Sequence, residues 1–180
     1  MSIKRDVTKV VLSTPLFWMM SSCAGYQFAG EGVGQIDPRY RALAVVDLEN
    51  RTTEPGLGAI CARALEGAVL RSSRALVSRG EADLVIDGVV VEVIERVSAF
   101  GVGEGAGDAE IELNVNADLI VFEKQQELYR VRKTGRASYV TSGVGVQSDA
   151  MRSAALKRAC GDAMRDGLAT MERSLVKGVE

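Results

Sequence analysis

Four cations crowd one short stretch of the chain: Arg130, Arg132, Lys133 and Arg136. In an extended strand alternate side chains share a face, so Arg130, Arg132 and Arg136 fall on one side, successive even positions lying about 7 Å apart. Guanidinium forks in such a row suit phosphate oxygens. The stretch before it carries Glu110, Glu112 and Asp118 on one parity, and cross-strand pairing with those carboxylates would give the same arginines a structural role. Both readings stay open from the residues alone. Glu92, Glu95, Glu110 and Glu112 invite an acid/base reading, but no spacing brings two of them to opposite sides of a cleft. They read as the solvated face of a half-buried sheet. The chain has no histidine, which removes Ser-His-Asp and Cys-His catalysis and every His-ligated metal. Its three cysteines, Cys23, Cys61 and Cys160, are too few and too far apart for a zinc site. The glycine-rich run 101–107 (GVGEGAG) lacks the Lys-Ser or Lys-Thr of a phosphate loop and precedes a strand, so it reads as a hairpin connection. Asn50-Arg51-Thr52 matches a glycosylation sequon, but a place at a helix start accounts for it. No catalytic residue, metal or cofactor is expected.

These side chains need elements to hold them. With 180 residues, 47% of them hydrophobic and 26% charged, the chain can bury a substantial core. A net charge of -2 argues against a nucleic-acid partner. The β-branched run 42–48 predicts a buried strand. After it, Thr53 is placed to cap a helix, with Glu54 at the positive dipole end and Pro55 in the first turn. Leu57, Ile60, Cys61, Ala64, Leu65, Ala68 and Val69 then form one stripe of an amphipathic helix reaching about Arg74. Residues 83–99 read as a strand in which Gly88 marks a bulge or close packing. Residues 109–122 alternate apolar and polar as a half-buried antiparallel strand does, and 128–140 form its partner across a polar turn. Gly143 and Gly145 break the chain before a helix capped by Ser148 or Asp149 and running to about Leu175. Its stripe is Met151, Ala155, Ala159, Cys160, Ala163, Leu168, Met171 and Leu175. The order β-α-β-β-β-α predicts a two-layer α+β sandwich, two helices packed on one face of a four-stranded mixed sheet. Cys61 and Cys160 both lie on apolar stripes, where free thiols pack as small hydrophobes. A disulfide is the alternative if the helices lie side by side; free thiols are slightly favoured.

The N-terminus reads as an address. Lys4, Arg5 and Lys9 precede the apolar run 10–20, too short to span a bilayer but suited to a signal peptide. Ser21, Ser22 and Cys23 then resemble a bacterial lipobox, with Met20 where leucine is usual. The resemblance implies cleavage before Cys23 and acylation of that residue; Ala24 after it favours the outer membrane. The domain scheme is therefore 1–22 signal peptide, 23–40 lipidated tether and 41–176 a single α+β domain. The membrane partner would be reached through the acyl chains.

Three further stretches carry a wider resemblance: Cys-Ala-Gly-Tyr-Gln-Phe at 23–28, Ala-Val-Val-Asp-Leu-Glu-Asn-Arg-Thr-Thr-Glu-Pro-Gly at 44–56 and Ala-Asp-Leu-Val-Ile-Asp-Gly at 82–88. Together they resemble the lipopolysaccharide-assembly lipoproteins, the LptE-like family. The resemblance covers nearly all of 23–175, and its motifs are structural. It implies an outer-membrane lipoprotein that plugs a β-barrel translocon, helps that barrel assemble and binds lipopolysaccharide, with no catalytic residues. The phosphorylated ligand would look to Arg130, Arg132, Lys133 and Arg136. The alternative is a periplasmic scaffold or activator lipoprotein of the curli-secretion or peptidoglycan-synthase activator type.

Overall fold

A computed structural model describes residues 40–101, 108–141 and 145–177. The signal peptide, Cys23, the tether up to residue 39 and most of the 101–107 run lie outside them. The elements are β1 (Ala42–Val45), β2 (Glu49–Asn50), α1 (Leu57–Arg71), β3 (Ala75–Leu76), β4 (Leu84–Phe100), β5 (Ala109–Glu123), β6 (Gln126–Thr141) and α2 (Gly145–Lys177). The sheet runs β3-β1-β4-β5-β6, with β2 added beside β4. β1 pairs in parallel with β3 and β4, and β2 with β4; β4-β5-β6 is an antiparallel meander. The class is the α+β expected, but the sheet gains β2 and β3. Two residues each, they are too short to show a period of two.

Alternation puts Leu84, Ile86 and Val90 of β4, and Leu113, Val115, Ala117, Leu119 and Val121 of β5, in the core. Leu57, Cys61, Leu65 and Val69 of α1 meet Ala155, Ala159, Cys160, Ala163 and Met164 of α2 over that layer. Met151, placed on the α2 stripe by its spacing, is exposed instead, while Leu156 and Met164 join the core. Cys61 and Cys160 form a disulfide with Cα atoms 4.9 Å apart, rather than two free thiols. Small residues are buried on both helices, Ala62 on α1 and Ala155, Ala159 and Ala163 on α2.

Close approach also explains three glycines. A Cβ on Gly135 would stand 1.9 Å from the Ala159 carbonyl oxygen, so β6 touches the backbone of α2 there. A Cβ on Gly58 would stand 2.1 Å from the Leu48 oxygen. At Gly88 the structure selects close packing, with the Asp118 oxygen 2.5 Å from a Cβ there; the β4 bulges lie at Val90–Glu92 and Val97–Ala99.

The helix starts differ from expectation. α1 opens at Leu57 behind Gly56, which adopts the left-handed φ of 71° that glycine tolerates. Thr53 is not its cap. Gly145, read as a breaker, already lies in α2, and so do Ser148 and Asp149.

At one end of the core Arg74, just after α1, meets Glu172 of α2 at 3.2 Å. Their surroundings are apolar: Leu43, Leu84, Ile86, Val121, Leu168, Met171 and Leu175. Glu172 is buried, and its Oε1 makes no well-directed hydrogen bond despite the ion pair. Desolvation pushes the Glu172 carboxyl above its usual range and the Arg74 guanidinium below its own.

Candidate functional site

The helices cover one face of the sheet, and β4, β5 and β6 present the other. Register fixes what lies there. Arg132 stands opposite Asp118, Thr134 opposite Asn116, Arg136 opposite Asn114 and Arg130 opposite Ile120. Glu110 and Glu112 face Val140 and Ser138, so neither lies across from an arginine.

Arg132 grips Asp118 with both arms of its fork, Nε–Oδ1 at 2.6 Å and Nη2–Oδ2 at 2.7 Å. That fork holds the Asp118 carboxyl below its usual range. Arg130 turns along its own strand to Glu127, at 3.0 and 2.9 Å, and lowers that carboxyl likewise. Arg136 has no ion pair on its guanidinium among the described residues; its backbone N–H donates to Asp162 Oδ2 at 3.3 Å. Lys133 has odd parity. It leaves the arginine face and meets Asp166 of α2, Nζ–Oδ2 2.7 Å. Three of the four cations thus share a face, and two of those three are already neutralised in part. Their side chains keep their reach: Arg132 is 69% exposed and Arg130 54%. A polar row links the strands between them, Asn116 donating to Glu92 at 3.2 Å and Thr134 donating to Asn116 at 2.6 Å.

A second constellation went unseen in the sequence. The turn 50–56 is tied by its own side chains. Asn50 Oδ1 accepts from the Thr52 N–H at 3.0 Å and from its hydroxyl at 2.8 Å, while the Thr52 hydroxyl accepts from the Glu54 N–H at 3.1 Å. Asn50 Nδ2 closes the loop on the Glu54 carbonyl at 2.7 Å. Glu54, so held, accepts two hydrogen bonds from Arg152 of α2, one of them 3.0 Å from Nη1. Arg152 Nε also donates to Glu95 of β4 at 2.8 Å, and the Tyr139 hydroxyl of β6 donates to the same carboxylate at 2.9 Å. Glu54 is lowered by its hydrogen bonds from Arg152, and Arg152 is raised by Glu54 and Glu95. Tyr139 is raised, by desolvation first and by Glu95 second. One guanidinium therefore joins the turn, the meander and the long helix. Sequence pattern alone makes Glu54 a dipole partner and Glu95 solvated strand surface; the structure gives both to Arg152. The signal available was Glu54 itself, inside the 44–56 stretch that carries part of the family resemblance.

Nothing in either constellation sets up a nucleophile with a base. No group of three metal-ligating side chains clusters among the described residues. No helix among them is long and apolar enough to cross a membrane.

The family model for lipopolysaccharide assembly, LptE, matches residues 40–171. The chain belongs to the LptE family. No curated protein matches it in sequence. Among solved structures, a hypothetical protein from Chlamydia trachomatis is 12% identical and superposes with a TM-score of 0.52, over 76% of this chain and 98% of that one. It shares the fold. Rare lipoprotein B from Shewanella oneidensis is 14% identical over 77% of this chain and 99% of that one, TM-score 0.47. An uncharacterised lipoprotein B from Nitrosomonas europaea is 16% identical over 78% and 87%, TM-score 0.48. The LptE match spans the 50–56 turn, the Arg152 network and the arginine face together.

Proposed function

We propose that this LptE-family chain is an outer-membrane lipoprotein, anchored through acylated Cys23, that plugs a β-barrel lipopolysaccharide translocon and helps it assemble. The match to the lipopolysaccharide-assembly family over residues 40–171 carries the reading. The domain suits a barrel lumen: one sheet face is polar and charged, as lumen contacts require. Lipopolysaccharide binding belongs on that face, at Arg130, Arg132 and Arg136. Arg130 and Arg132 keep exposed guanidinium groups in their ion pairs, and Arg136 has none among the described residues, so lipid phosphates can compete for all three. Lys133, held by Asp166, serves helix docking in this reading. The domain scheme of 1–22 signal, 23–40 tether and 41–176 folded domain goes with it.

The deciding experiment is co-purification of the full chain from detergent-solubilised outer membranes. A stable complex with one large β-barrel is the expected result. Recovery of a cell-wall enzyme in place of a barrel would move the protein to the scaffold class. Cys23→Ser should leave uncleaved precursor at the inner membrane; a cleaved, outer-membrane-associated mutant would refute the anchor.

A further inference from the structure

β6 is the last strand of the sheet, and among the described residues no strand pairs with its outer edge. In the antiparallel β5-β6 ladder, N–H and C=O of alternate residues turn outward. The outward set is the even-numbered one, because the Arg136 N–H reaches Asp162 of α2 instead of β5. That edge is guarded unevenly. Asp162 takes the Arg136 N–H, and Arg158 Nη2 donates to the Ser138 carbonyl at 2.7 Å. Two side chains of α2 thus close the upper half. The backbone groups of Arg130, Arg132 and Thr134 in the lower half have no such cap among the described residues.

A bare edge invites a further strand, and natural proteins deter this with charge. The reaching side chains here are cationic: the Arg130 and Arg132 guanidinium groups stay exposed although Glu127 and Asp118 offset them in part. A second copy pairing edge to edge would set Arg130 and Arg132 against their own counterparts, which is unfavourable. A strand carrying carboxylates on the same face would meet those guanidinium groups in cross-strand pairs. We propose that the edge of β6 from Arg130 to Thr134 receives an extended acidic segment of a partner protein by strand addition. The backbone of Arg132 supplies outward hydrogen bonds, and the arginines select the sign of the segment. The proposal stands apart from lipopolysaccharide binding, because it uses main-chain groups that a glycolipid headgroup does not need.

The test uses the full chain in detergent with two synthetic probes, capped octapeptides alternating valine with glutamate or valine with lysine. Amide hydrogen exchange is read by NMR. The glutamate peptide should slow exchange at Arg130, Arg132 and Thr134 by about tenfold or more, and the lysine peptide should not. Arg132→Pro removes an outward N–H without touching a bond to β5, so the fold should stand while peptide binding falls about tenfold or more. If that variant does not fold, Arg130→Glu should repel the same peptide. The proposal is overturned if those amides are already protected in the unmixed chain, if both peptides bind alike, or if neither binds.

Discussion

At the scale of the residue, Glu172 is the group most at odds with its surroundings. Its raised carboxyl pKa means that ionisation at neutral pH costs folding free energy, and the cost is relieved as pH falls through the raised value. Glu54 and Asp118 run the other way. Their folded values are depressed, so they stabilise above the ordinary carboxylate range and that contribution is lost as pH falls through the folded values. Melting curves of wild type and Glu172→Gln should therefore separate in favour of wild type as pH falls from 7 toward about 4.5, before Glu54 and Asp118 begin to protonate. A constant separation would show that the Glu172 carboxyl is not raised in the fold. Glu172→Ala leaves Arg74 charged in an apolar setting and should cost about 3 kcal/mol, while Arg74→Leu with Glu172→Leu should cost less than either single change. Chemical denaturation of Glu172→Ala, the two single leucine variants and the double variant measures this.

At the scale of the element, what matters is how α2 is fastened to the sheet. Arg152 ties it to the 50–56 turn and to β4, so Arg152→Ala should cost about 2 kcal/mol of stability. It should also speed amide exchange in the turn; an unchanged turn would mean that Asn50 and Thr52 hold it unaided. Gly135→Ala should do greater damage, because its methyl would meet the α2 main chain, which cannot move without displacing the Cys160 region. Loss of soluble folded protein, or a fall in melting temperature larger than that of Arg152→Ala, is the expected readout. These cases show what could be read in the chain beforehand. The long strands β5 and β6 were legible because alternation over many residues is unmistakable, and so was the shared face of Arg130, Arg132 and Arg136; β4 was legible from its β-branched run. β2 and β3 were not, since two residues carry no period. The start of α1 was misplaced because Thr53 looks like a cap, whereas the turn is built by Asn50 and Thr52 hydrogen-bonding within it. Partners distant in sequence escaped altogether: Glu54 with Arg152 and Gly135 with Ala159 depend on docking, which local pattern does not encode.

At the scale of the whole molecule, the lipid reading and the structural reading of the arginine row predict different losses. Arg130→Ala with Arg132→Ala should weaken lipopolysaccharide binding in a salt-sensitive way and barely move the melting temperature, since both guanidinium groups are exposed. A fall in melting temperature with unchanged binding by the folded fraction would make the row structural. The disulfide matters on a larger span. It closes a loop of 99 residues, and losing it through Cys61→Ala with Cys160→Ala should cost about 4.7 kcal/mol on the chain-entropy account. Denaturant midpoints under oxidising and reducing conditions give the same comparison for the native chain. That span also sets an order of events in time. A chain emerges from its N-terminal end, so Cys61 is exposed long before its mate exists, and it must wait as a reactive thiol until nearly all of β4, β5, β6 and the first half of α2 have followed. The closed bond is then a certificate of completion. A chain cut short before Cys160 keeps an open thiol on α1, so thiol labelling separates unfinished copies from finished ones.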